Sequence, residues 1–126
     1  MGLLSGLLGN ASTVETDTIT RQLEPILANE ETVELAFQLI RDQLVFTSKR
    51  LILIDKQGLT GKKVQYLSIP YKSITRFAIE TAGHFDLDAE MKLWIGSDPA
   101  PLVQELRGRE NISAIQKALA TAVFAG

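Results

Sequence analysis

Hydrophobic and polar residues follow two different periods along the chain. From Ile19 to Leu27 apolar side chains recur at helical spacing, and Pro25 should kink or shorten that helix. After residue 31 the period changes to two, which is typical of strands with one buried face. The pattern predicts a helical N-terminal leader at residues 1–30 and a β-rich domain at residues 31–126.

The β-rich domain is predicted to hold about seven short strands and one terminal helix. Strands are expected at residues 33–40, on both sides of a hairpin turn at 47–50, and at 64–69, 74–81, 86–95 and 102–106. Val33 and Leu39 are placed on the same buried face of the first strand. Residues 55–58 are expected to form a turn that ends at Gly58, and Asn111 is expected to cap the last helix. Strands at this spacing indicate a small barrel or sandwich rather than alternating β–α–β units.

Composition narrows the function classes. The 126 residues suggest one soluble globular domain, with 45% apolar and 22% charged residues. A net charge of −2 argues against a nucleic-acid partner. The chain has no cysteine, which excludes disulfides, thiol catalysis and cysteine-ligated zinc. No export signal or membrane-spanning run is evident, so a cytoplasmic protein is expected.

The stretch ETAGHFDLDAE, residues 80–90, surrounds the only histidine with acidic residues. Alternate residues of a strand share a face, so His84, Asp86 and Asp88 could together bind a metal ion. The favoured interpretation is instead the solvated face of a hairpin, because no further histidine is available as a ligand. No catalytic residue and no cofactor are therefore expected.

Two registers of this hairpin keep opposed residues on the same face. The preferred register has a three-residue loop with Gly83 in the left-handed position. It pairs Glu80 with His84, and it places Arg76 opposite Asp88. The other register has a five-residue loop and places Arg76 opposite Glu90. It also places Glu80 opposite Asp86, a like-charge pair that makes this register less favourable.

Two further features suggest surfaces for binding. Lys56, Lys62 and Lys63 lie in the most basic stretch, where solvated lysines that protect strand edges are the favoured interpretation. Binding of anions or phospholipid headgroups is the alternative. Trp94 falls on the charged face of its strand, and the leader carries two leucine pairs. Both features suggest contacts between subunits, although the leader could instead pack on its own domain. The leucines are Leu3, Leu4, Leu7 and Leu8.

The runs TSKRLILIDKQGLTGKKVQYLSIPYKSI and RFAIETAGHFDLDAEMKLWI, with the leader MGLLSGLLGNAS, resemble the bacterial pleckstrin-homology-like family of small uncharacterised proteins. The resemblance covers nearly the whole chain. It implies a mostly β (α+β) fold, in which a strongly bent seven-stranded β-barrel is closed at one end by the C-terminal helix. It also implies self-association into ring-like homo-oligomers, with no established enzymatic activity or ligand.

Overall fold

The computed structural model describes residues 15–59, 62–81 and 88–125. The elements, in chain order, are α1 (Thr16–Leu23), β1 (Val33–Gln38), β2 (Gln43–Thr47), β3 (Arg50–Gln57), β4 (Lys63–Pro70), β5 (Ile74–Thr81), β6 (Asp88–Ile95), β7 (Leu102–Arg107) and α2 (Arg109–Val123). Short 3₁₀ turns follow α1, at Glu24–Ile26, and β4, at Tyr71–Ser73. The predicted mostly β domain with a C-terminal helix is confirmed.

The seven strands form two antiparallel sheets. The first sheet has the strand order β1-β2-β3-β4, and the second has the order β5-β6-β7. The described residues therefore form two separate sheets, whereas the family resemblance implied one closed barrel. Among these residues no helix has the length and hydropathy needed to cross a membrane.

The inner hydrophobic cluster joins both sheets to α2. It contains Phe37 and Phe46 from the first sheet, whose rings meet edge to face with centroids 5.8 Å apart. Met91 and Leu93 come from the second sheet, and α2 contributes its predicted apolar face, which includes the fully buried Ile115. Burial of this face of α2 in the cluster removes apolar surface from water, which stabilises the domain.

An outer hydrophobic cluster lies on the other face of the first sheet. There α1 buries Ile19 and Leu23 against the sheet residues Ala36, Val45, Ile52 and Ile54. Because β3 is covered on both faces, its residues 51–54 are apolar without alternation and are at most 2% exposed. Burial on both faces thus explains why this part of β3 is continuously apolar instead of alternating.

Several boundaries differ from the sequence predictions. Val33 packs in the outer cluster, because a bulge between Val33 and Leu35 reverses the alternation expected at the start of β1. Gly58 does adopt a positive φ of 78°, but the strand β3 continues through Gln57 before that turn begins.

The start of α2 is also earlier than predicted. Gly108, at φ 88°, is the residue before the helix, and the amide of Ile112 donates to its carbonyl at 2.9 Å. Asn111 lies inside the first turn and is buried, so its predicted role as the cap was wrong. A glycine can hold this left-handed conformation without the steric cost that a β-carbon brings.

The predicted register of the β5–β6 hairpin was wrong as well. Glu80 lies opposite Glu90 and Arg76 lies opposite Trp94, so Glu80 does not pair with His84 and Arg76 does not pair with Asp88. Thr81, which was expected in the three-residue loop, belongs to β5 and lies opposite Ala89. Gly83 and His84 lie outside the described residues.

Candidate functional site

A buried ion pair lies where the segment after α1 meets the turn between β2 and β3. The side chain of Glu31 is fully buried, and the side chain of Arg50 is 23% exposed. Arg50 Nε donates to Glu31 Oε2 at 2.9 Å, and Arg50 Nη2 donates to Oε1 at 3.0 Å. This two-point geometry matches the planar fork of arginine to both carboxylate oxygens.

Further hydrogen bonds complete this Glu31–Arg50 network. The Thr47 hydroxyl donates to Glu31 Oε2 at 2.6 Å, and the Ala28 amide donates to Oε1 at 2.8 Å. Arg50 also donates to Ser68 Oγ at 2.9 Å. Burial alone would raise the pKa of Glu31, but the hydrogen bonds from Arg50, Thr47 and Ala28 outweigh it and hold that pKa below its usual value.

Tyr71 connects the same turn to the passage between the two sheets. It lies in the 3₁₀ turn between β4 and β5, and its hydroxyl donates to the carbonyl oxygen of Thr47 at 2.7 Å. Burial raises the pKa of Tyr71, and the negative charges of Glu34 and Glu31 raise it further. The hydroxyl therefore stays protonated and keeps donating at ordinary pH.

A cavity of about 390 Å³ adjoins the Glu31–Arg50 network. Its charged walls are Glu31, Arg50 and Lys49. Because Glu31 and Arg50 neutralise each other, one lysine remains as a cation, which is a weak basis for holding an anion. The network is best explained as a structural clamp between the N-terminal segment and the first sheet.

A row of three carboxylates crosses the exposed face of the second sheet. Glu80 in β5 lies directly opposite Glu90 in β6, and Glu90 lies directly opposite Glu105 in β7. All three residues are exposed. Directly opposed side chains have Cβ atoms about 4.5–5.5 Å apart, so the row concentrates negative charge.

Cations flank this carboxylate row. Lys92 Nζ lies 2.9 Å from Glu80 Oε1, and Arg107 Nε lies 3.5 Å from Asp88 Oδ1. The hydrogen bond and charge of Glu80, helped by the charge of Glu90, raise the pKa of Lys92. The opposite face of β6 is apolar and buried, which confirms the alternation predicted for this strand.

The metal hypothesis involves the residues next to this row. His84 and Asp86 lie outside the described residues, whereas Asp88 is exposed at the start of β6. Within residues 15–59, 62–81 and 88–125, no three histidine, aspartate or glutamate side chains are arranged to hold a metal ion. The metal site was the less favoured interpretation of this stretch, and two of its three residues, His84 and Asp86, lie outside the part of the chain that the structure describes.

The structure separates the predicted lysine patch. Lys56 lies opposite Val64, and Lys63 lies opposite Gln57. Since adjacent positions along a strand face opposite sides, Lys56 and Lys63 point away from each other across the ribbon of β3 and β4. All three lysines, including Lys62, are exposed, but Lys56 and Lys63 do not share one binding face.

Trp94 is half-buried on the charged face of β6, as its sequence position predicted. The guanidinium carbon of Arg76 lies 4.4 Å from the centroid of the indole ring. This cation–π contact covers one face of the ring from within the chain. The sequence reasoning missed it because it paired Arg76 with Asp88. The leucines proposed as contacts, Leu3, Leu4, Leu7 and Leu8, lie outside the described residues.

Edge strands expose apolar side chains that the sequence reasoning overlooked. In the described part of the chain, β4 pairs with β3 alone and β7 pairs with β6 alone. Tyr66 on β4 is 46% exposed and Val103 on β7 is 44% exposed. The signal was present in KVQYLSI, residues 63–69, where both alternating sets contain apolar residues, so that one set had to face away from the core.

Comparisons with known proteins agree with this fold. The family model described as "Bacterial PH domain" matches residues 2–123. The uncharacterised protein YjqA of Bacillus subtilis (strain 168) is 56% identical over 121 residues, which cover 95% of this chain and 97% of YjqA.

Two solved structures are similar over almost the same extent. The pleckstrin homology domain from Shewanella amazonensis SB2B superposes with a TM-score of 0.83 at 54% identity, covering 98% of this chain and 99% of that one. A protein with a pleckstrin-homology domain from Shewanella loihica PV-4 has a TM-score of 0.77 at 53% identity, with 93% and 100% coverage.

Proposed function

The chain belongs to the bacterial PH domain family, and from that premise we propose that it is a non-enzymatic interaction domain that assembles with copies of itself into a ring. Domains of this kind typically act as interaction modules. Their fold alone does not identify a partner, so self-association must depend on the surface residues of this particular chain.

The observation that carries the proposal is the exposed edge of β4. This strand is eight residues long, and its residues 63–66 are all exposed. A long edge strand presents unpaired backbone amides and carbonyls, which form a template for another strand. Val64 and Tyr66 add apolar surface to that edge.

The second sheet offers a different edge at β7. Its outward residue Val103 is apolar and exposed. Pairing of β4 on one subunit with β7 on the next would use two unlike surfaces, and such a head-to-tail contact repeats until the rotation closes a ring. Trp94, on the strand next to β7, would lie near this contact and keeps its predicted role there.

The test is the mass of the full-length chain by light scattering at micromolar concentration. We expect an oligomer whose mass falls toward that of the monomer when Gln65→Lys on β4 is combined with Val103→Lys on β7. A lysine on an edge strand opposes strand pairing by its charge and hydration. Gln65 is exposed and Val103 is 44% exposed, so the fold itself should tolerate the changes.

The matched control is Gln116→Lys, the same substitution at an exposed position of α2. It should leave the oligomer intact. A wild-type chain that is monomeric at micromolar concentration contradicts the proposal. An oligomer unaffected by the double substitution shows that β4 and β7 are not its contacts.

Binding of phospholipid headgroups is the alternative function. The separation of Lys56 from Lys63 gives it no specific support. Flotation with liposomes that contain or lack anionic lipid tests it directly. Binding that requires anionic lipid and is lost when Lys56, Lys62 and Lys63 are changed to Glu would establish this function for the lysines.

A further inference from the structure

The two strand edges that the proposed ring joins carry opposite charges. Lys62 is exposed directly before β4, and the chain from there to Pro70 contains no acidic residue. On β7, Glu105 is exposed and forms the end of the carboxylate row. Among the described residues, Glu80 is the one member of that row within ion-pair distance of a cation. Glu105 is therefore available at the edge for a cation of another chain.

The exposed apolar side chains of the two edges lie on definite faces. Val64 and Tyr66 belong to the alternating set of β4 that continues the outer face of the first sheet. On β7, Val103 lies on the same exposed face as Glu105. Directly opposed residues of paired strands share a face. A pairing that brings these apolar residues together therefore also brings Lys62 to the face of Glu105, because residues 62, 64 and 66 alternate together.

We propose that β4 of one copy pairs antiparallel with β7 of the next, in the register that sets Val64 opposite Val103 and Lys62 opposite Glu105. In this register Tyr66 lies opposite the half-buried Pro101, which comes directly before β7. The inference rests on the proposed ring and deepens it, because it assigns the carboxylate row a role as the binding site for a lysine of the next copy.

Charge complementarity selects this register over its neighbours. Sliding the antiparallel pairing by two residues sets Tyr66 opposite Val103, but it brings Lys62 against Arg107, a like-charge pair. Parallel pairing that keeps Val64 opposite Val103 carries Lys62 away from the carboxylate row. Of these three registers, the proposed one alone combines an apolar pair with an ion pair.

The ion pair also makes the contact selective. A lysine at a strand edge ordinarily opposes pairing, because its charge would lose water without gaining a partner. Glu105 offsets that cost on β7, whereas an edge without an acidic residue at this position does not. Because the charges lie at the surface, salt should weaken the assembly.

The absence of cysteine from the chain lets a disulfide report the register. Val64→Cys combined with Val103→Cys places two thiols at opposed positions, where Cβ atoms about 4.5–5.5 Å apart approach disulfide range. Within one chain these positions lie on different sheets. After mild oxidation we expect covalently linked oligomers in denaturing electrophoresis. The matched control, Val64→Cys with Glu105→Cys, has a diagonal spacing of about 7–8 Å and should cross-link about tenfold less.

An exchange of charges tests the ion pair itself. Lys62→Glu or Glu105→Lys alone should raise the concentration needed for half-assembly about tenfold at low salt, and the two together should restore it. Both residues are exposed, so the fold tolerates the changes. Lys117→Glu, at an exposed position of α2, is the control and should leave assembly unchanged.

The outcomes separate this inference from the ring. A wild-type chain that is monomeric at micromolar concentration overturns both. An oligomer in which the control pair at 64 and 105 cross-links better than the pair at 64 and 103 overturns the register alone. Single charge reversals that leave assembly unchanged, or a double exchange that fails to restore it, overturn the lysine–carboxylate contact while the ring stands.

Discussion

Glutamates occupy two opposite environments in this domain. Glu31 is fully buried at one end of the first sheet, where both carboxylate oxygens accept hydrogen bonds from its own chain. Glu80, Glu90 and Glu105 lie in a row on the exposed face of the second sheet, where like charges oppose one another. The side chain of Glu80 is 62% exposed, even though it contacts Lys92.

The difference shows what decides the cost of a charge. Water screens the carboxylate row, so its repulsion is small and is partly offset by Lys92 and by Arg107 next to Asp88. The Glu31 carboxylate is buried away from water. Its charge is stable only because hydrogen bonds donated by Arg50, Thr47 and Ala28 replace those that water would donate. Substitutions should therefore change the free energy of unfolding strongly around Glu31 and weakly in the carboxylate row.

The largest effect is expected for Arg50→Met. The change leaves the Glu31 carboxylate buried without its counter-ion, and the free energy of unfolding should fall by about 3 kcal/mol. Urea denaturation at pH 7 measures it. The double variant Glu31→Gln with Arg50→Met should lose less than the sum of the two single losses, because neither charge is then left unpaired. Additive losses would show that the pair is not coupled.

An intermediate loss of stability is expected at acidic pH. The pKa of Glu31 is lower in the folded protein than in the unfolded chain, so its contribution to stability is present above the unfolded value of about 4.3. That contribution is lost as the pH falls through the folded pKa. Urea denaturation between pH 6 and pH 3 should show a steeper loss for wild type than for Glu31→Gln. Parallel curves would contradict the pairing.

The smallest change in stability is expected in the carboxylate row, where a substitution should stabilise the fold instead of destabilising it. Glu90→Gln removes repulsion toward both Glu80 and Glu105 and should raise the free energy of unfolding by up to about 1 kcal/mol at low salt. Thermal or urea unfolding measures the gain, which should shrink at 1 M salt because screening already weakens the repulsion. Glu24→Gln, at an exposed position outside the row, is the control and should change little.

Much of the fold could be predicted from periodicity, because burial imposes it directly. The alternation of β6 and the apolar face of α2 follow from one-sided packing, and both are confirmed. The β5–β6 register could not be predicted, since parity allows many pairings and the argument from loop chemistry selected a short one. The structure pairs Glu80 with Glu90, a register with the same parity that the loop argument did not select.

The contacts at the candidate binding surfaces could be predicted less well from the sequence. The guanidinium of Arg50 binds Glu31, nineteen residues away in the chain. Nothing in local spacing indicates such a pair. Trp94 was placed correctly on the charged face, but its cover by Arg76 depends on the register and was missed for that reason.

The turn at residues 47–50 is held from three directions, by Glu31, by Ser68 and by the hydroxyl of Tyr71. This has a practical consequence for anyone who labels the protein. An epitope tag or fluorescent reporter inserted in that turn would break its contacts with the N-terminal segment and with the passage between the sheets at once. Gly96, just after β6, donates its amide to the carbonyl oxygen of Ser73 in the passage between the sheets. The exposed residues 97–100 that follow it are therefore the better insertion point.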